Sequence, residues 1–140
     1  MLLNSESKDF NLFLTIEDVE KVSGISNVRQ IPFDPVRFLG SELNFVSETG
    51  NKILSVDFFS ASQFDDYKKI STSHSLEALS GIGDEACAGA DPLDRSPILI
   101  FKKGIHAVVM NAAAESRAHQ KQLDLEQLIK IGKIVASRIL

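Results

Sequence analysis

The chain has 140 residues, 44% hydrophobic and 24% charged, with a net charge of −4, three histidines, one cysteine and no tryptophan. That length fits one domain spanning 1–140, able to hide about two thirds of its unfolded surface in a single core. Lysines come as scattered pairs, Lys68-Lys69 and Lys102-Lys103, rather than as a basic stripe, so no nucleic-acid partner is expected. A lone cysteine excludes an internal disulfide and any multi-cysteine metal site.

The chain opens on a polar stretch, Asn4 to Asp9, and residues 1–9 are expected to be flexible. Met1-Leu2-Leu3 lacks the basic n-region, long apolar run and small-residue cleavage site of a signal peptide. As written the chain reads as cytoplasmic; a missing precursor segment would make it extracytoplasmic. No apolar run approaches the roughly twenty residues of a membrane span.

Thr15 and Asp18 form a box-like cap for a first helix, Leu14 and Val19 a hydrophobic staple, and Gly24 a C-terminal stop. Pro32 and Pro35 break the next stretch, where Ile31-Pro32-Phe33 reads as an edge strand or an extended crossing. A hairpin follows. Leu43, Phe45 and Ser47 share one face of its first strand, Leu54, Val56 and Phe58 one face of its second, and Thr49-Gly50-Asn51 is the turn. Ile53 and Phe59 make the second strand apolar on both faces, so it belongs inside a sheet. A short helix from about Ser62 sets Phe64 and Tyr67 on one side and spaces Asp65 and Lys69 as an i, i+4 pair outside. A second hairpin runs from Ile98 to Met110 around Lys102-Lys103-Gly104. The final helix starts at Asp124, with Gln127 completing a box and Leu123 and Leu128 a staple. Leu125, Leu128, Ile129, Gly132, Val135, Ala136 and Ile139 form its broad apolar face, and Ile131 and Ile134 spill beyond it. Those two are either covered from a second side, with Phe10 and Phe13 as the cover, or form a candidate interface. The first outcome, a monomer, is expected over a homodimer.

Two hairpins, each followed by a helix, predict an α+β fold: an antiparallel sheet covered by helices, including a long C-terminal one.

Gly81-Ile82-Gly83-Asp84-Glu85-Ala86 matches the G-x-G-x-x-A spacing of a dinucleotide fingerprint, which requires a buried strand before it and a helix opening inside it. Ser71 to Ser75 are polar, Ala88 to Pro97 hold two prolines without helical period, and Asp84 and Glu85 would repel an anion. No cofactor is expected. The turn has two remaining readings. In the structural one it is tight and self-bonded and delivers Glu85 to Cys87 into the sheet. In the functional one Asp84 and Glu85 stand at the rim of a ligand groove, with His106 as a further candidate. His106 shares a strand face with Val108 and Met110, while His74 and His119 read as loop residues. No histidine pair has metal-site spacing, so no metal is expected, and no G-x-S-x-G elbow marks a serine nucleophile, so no catalytic residue is assigned. Cys87 sits among small residues and acidic neighbours, which favour the thiol over the thiolate.

Leu14-Thr15-Ile16-Glu17-Asp18-Val19, the G-x-G-D-x-A turn at Gly81 to Ala86, the Lys102-Lys103-Gly104 tip and the C-terminal helix occur in an order that resembles small α+β domains of bacterial cell-envelope lipoproteins of unknown function. The resemblance implies a layered antiparallel sheet similar to the PsbP-like fold and no known enzyme activity. The chain lacks the lipid-attachment cysteine of those proteins near its start. Together these readings favour a non-enzymatic binding or interaction domain with a protein or small molecule as partner. The alternative is a small-molecule-binding or glyoxalase-like enzyme using His106 and carboxylates.

Overall fold

The computed structural model describes residues 12–31, 41–50, 52–70, 76–90, 96–112 and 123–139. Within them alternating apolar residues produce strands. Capped, 3.6-period segments produce helices. Strands β1 (Arg29–Ile31), β2 (Ser41–Val46), β3 (Lys52–Ser60), β4 (Glu77–Leu79), β5 (Glu85–Ala90), β6 (Pro97–Lys103) and β7 (His106–Asn111) form one open sheet in the order β1-β2-β3-β7-β6-β5-β4. Every neighbouring pair is antiparallel. Among the described residues three α-helices accompany it: α1 (Ile16–Ser23), α2 (Phe64–Ile70, entered through a 3-10 turn at Ala61–Gln63) and α3 (Leu125–Arg138).

The α+β expectation holds, and the two predicted hairpins are β2–β3 and β6–β7. The sheet is larger than two hairpins because β4 and β5 extend it beyond β6, and β1 forms the opposite edge. Ile31 closes β1; Pro32, Phe33 and Pro35 lie outside the described residues.

Both predicted capping boxes form. The Thr15 side chain accepts from the Asp18 amide at 3.2 Å, and Asp18 accepts in return from the Thr15 amide at 2.9 Å. Asp124 accepts from the Gln127 amide at 2.8 Å, and Gln127 accepts from the Asp124 amide at 3.0 Å. Leu14 with Val19, and Leu123 with Leu128, are buried as staples should be.

The period of two divides the sheet into two differently covered faces. On one, Leu43, Phe45, Leu54, Val56, Phe58, Leu99, Phe101, Val108 and Met110 join residues of α1 and α3 in the main core. On the other, a smaller cluster of Cys87, Ile98, Ile100, Ala107 and Val109 is sealed by Phe64, with Phe59 and Tyr67 packed against it. Phe59 and Tyr67 stack at 4.3 Å between ring centroids. The helix after each hairpin therefore covers a different face. α3 approaches β6 so closely at Gly132 that a Cβ there would run into the Leu99 side chain.

Ile131 is fully buried in the main core, and Ile134 is half-buried against it. Ile131 therefore offers no exposed surface, while Ile134 keeps part of its side chain open beside the core. Phe13 packs against this core; Phe10 lies outside the described residues. On α2, Asp65 pairs at 3.9 Å with Lys68 rather than with the expected Lys69, and Lys68 also reaches Glu85.

Candidate functional site

Gly81 and Gly83 both have positive φ, +89° and +61°, which suits glycine because no Cβ resists it. This turn leads into β5 rather than into a helix. It lacks the helix N-terminus that would face a pyrophosphate, so the geometry departs from a dinucleotide site. The Asp84 amide donates to the Lys102 carbonyl at 2.8 Å, and its carboxylate accepts from the Gly104 amide at 3.0 Å. Asp84 thereby ties the glycine turn to the tip of the β6–β7 hairpin.

Glu85 begins β5 opposite Lys102. Its carboxylate lies 3.3 Å from the Lys68 ammonium and 3.7 Å from that of Lys102. Both ammonium groups also sit over the Phe64 ring, 5.1 and 5.3 Å from its centroid, an arrangement attractive through the ring's negative face. Lys103, one residue on, projects to the other side of the sheet and donates to the Ala136 carbonyl near the end of α3 at 2.9 Å. The two tip lysines thus fasten helices on opposite faces.

His106 stands apart from Glu85. It packs edge-on against Phe13 and Phe58, at 6.0 and 6.4 Å between centroids, on the side of the main core. Partial burial pushes its imidazole below the ordinary value. Asp84, Glu85 and His106 therefore do not converge on one rim: Glu85 faces α2, His106 faces the aromatic cluster of the opposite face, and Asp84 is bound at the hairpin tip. Cys87 is buried, and its thiol is pushed up chiefly by that burial. Lys68 opposes the shift and Glu85 adds to it. His74 and His119 lie outside the described residues.

Sequence reasoning missed the most unusual ionisable pair. Glu42 and Asp57 are direct partners across β2 and β3, on the side of the sheet that carries Phe59 and α2. Burial first, then the neighbouring Glu42 carboxylate, push the Asp57 carboxyl up to about 7, against a smaller opposing pull from Lys52. One Asp57 oxygen, Oδ1, is buried without a hydrogen-bond donor. The available signal was two acidic residues at opposing positions of a predicted hairpin, where like charges directly across are unfavourable.

Among the described residues no three His, Cys, Asp or Glu side chains are grouped to hold a metal ion. Among them, too, no helix is long and apolar enough to cross a membrane. No family model matches the chain, and no curated protein or solved structure matches it significantly.

Proposed function

We propose that the chain is a non-enzymatic binding or interaction domain, its layered body serving as a scaffold for a protein or small-molecule partner. The supporting observation is the use made of its reactive-looking groups. Asp84 clamps a hairpin, Glu85 is shared between two lysines, and His106 is an aromatic-packed side chain at the core's edge. Each is explained by the architecture it supports. The order of helix, glycine turn, lysine-tipped hairpin and C-terminal helix also favours kinship with the envelope-lipoprotein domains.

A small-molecule-binding or glyoxalase-like enzyme is the second reading, and one observation favours it: the Asp57 carboxyl titrates near neutrality, the range suited to a general acid. It ranks second because His106 packs on the opposite face of the sheet from the Glu42–Asp57 pair, so they cannot form one ligand set.

Thermal melts with NAD, NADP, FAD, ATP, Zn²⁺ and Fe²⁺, together with elemental analysis, separate these readings. A ligand at about a hundred times its dissociation constant adds about 2.7 kcal/mol of stability. The scaffold reading expects no shift with any of them and no stoichiometric metal. A dose-dependent rise, or about one metal per chain, would put the enzyme reading first.

A further inference from the structure

The Glu42–Asp57 rung poses a problem that the rest of the sheet does not. Asp57 Oδ1 is out of contact with water and has no donor, while the residue directly across the strand pair is another carboxylic acid. Two ionised carboxylates offer only acceptors to each other. One proton turns that opposition into a short O–H···O⁻ bond, among the stronger hydrogen bonds available to side chains.

We propose that Glu42 and Asp57 share a single proton across β2 and β3, and that this proton is a pH-operated latch on the β1–β2–β3 side of the sheet. When it is present the rung is closed; when it leaves, two like charges face each other and the strands separate locally.

Among the described residues, the surroundings of the pair can be stated element by element. Lys52, at the start of β3, is the cation acting on Asp57, and its pull is smaller than the combined effects of burial and Glu42. β7 contributes Val109 opposite Asp57, which carries no charge. α2 contributes Tyr67, whose phenol is pushed up by burial first and then by Asp57 and Asp66. Burial first, and then the facing Glu42, displace the Asp57 carboxyl upward to about 7, the direction that favours a proton held between two acids. Tyr67 stacks on Phe59, two positions along β3 from Asp57, so opening the rung also disturbs the seat of α2.

The experiment is a carbon-detected NMR titration of the side-chain carboxyls in the full chain, with backbone hydrogen-exchange protection measured at each pH. Across about pH 3 to about pH 9 the pair is expected to titrate in two separated steps, with the upper one near neutrality. Protection of the β2–β3 amides should fall about tenfold or more through that upper step, while the β6–β7 amides hold theirs. Asp57→Asn should abolish the upper step and level the protection. Glu42→Gln should lower the remaining Asp57 transition, and it provides a second route if the first variant does not fold. Both carboxyls titrating together in the ordinary acid range would overturn the shared proton. Equal loss of protection in both hairpins would overturn the latch.

Discussion

Gly83 shows how much a single backbone conformation can carry. At φ +61°, any Cβ would stand 2.5 Å from the Lys102 carbonyl oxygen, the same oxygen that accepts from the Asp84 amide. Gly83→Ala therefore adds a clash with main chain to the left-handed penalty of about 1–2 kcal/mol. Urea melts should give a loss of about 2 kcal/mol or more. Gly81→Ala meets open space and has only a similar φ to tolerate, so its loss should be about 1 kcal/mol. Equal losses at the two positions would count against the close approach. At Asp84, asparagine keeps an acceptor for the Gly104 amide, whereas Asp84→Ala removes it and should cost about 1 kcal/mol in the same assay.

α1 and α3 hold each other through side chains that reach main chain: Gln127 donates to the Val22 carbonyl at 3.2 Å, and Arg138 donates to Phe13 oxygen at 3.2 Å while bridging Asp18. The Arg138 guanidinium holds the Asp18 carboxyl below its ordinary value. Because the pair is partly open to solvent, its own contribution should stay below about 1 kcal/mol. Burial decides more. Ile131 has no exposed surface, so Ile131→Lys should cost several kcal/mol and leave little folded protein by circular dichroism. Half-buried Ile134 allows a lysine to stretch its ammonium toward water, so Ile134→Lys should lose about 1–2 kcal/mol and remain folded. Light scattering showing a smaller assembly for a fully stable Ile134→Lys would favour the interface reading over monomer burial.

These elements were legible to different degrees, for physical reasons. Capping boxes, staples and both hairpins announce themselves because their partners lie within a few residues. β4 and β5 were harder: Glu77-Ala78-Leu79 is too short to show alternation, and Ala86 to Ala90 are small residues whose burial comes from neighbours. The placement of the candidate rim residues was hidden for a related reason. Sequence places Asp84, Glu85 and His106 near hairpin ends, but which face a side chain takes depends on strand register across β5, β6 and β7. Asp57 escaped notice because an acid in an alternating strand reads as solvent-facing, whereas one of its oxygens is buried opposite Glu42.

For the molecule as a whole, the two perturbed acids pull in opposite directions with pH. Asp57 binds its proton more tightly folded than unfolded, so its stabilisation is complete below about pH 4 and is lost as pH rises through about 7. Asp18 does the reverse: its stabilisation is present above the ordinary carboxylate range and is lost as pH falls through its depressed value. Stability from these groups should therefore peak in mildly acid solution and decline toward pH 8 by an amount on the order of a few kcal/mol. Melting temperatures measured from about pH 4 to about pH 8 check this, and Asp57→Asn should flatten the alkaline side of the curve.

The strand order carries a consequence of its own. Among the described residues five of the six ladders join strands consecutive in the chain, and only β3 against β7 joins distant ones, Ser55 opposite Asn111 through Ser60 opposite His106. The described strands thus form two meanders zipped along one line, with α2 reaching across that line from the first meander and α3 meeting α1 from the second. Cutting the chain between α2 and β4 leaves every local ladder whole. Two separately produced pieces, one ending after α2 and the other beginning before β4, should recombine one-to-one in a calorimeter and recover the circular dichroism of the parent. Phe58→Asp, placed on the zipped line opposite Val108, should prevent that reunion. The domain would then serve as a split reporter whose signal depends on the two pieces being brought together.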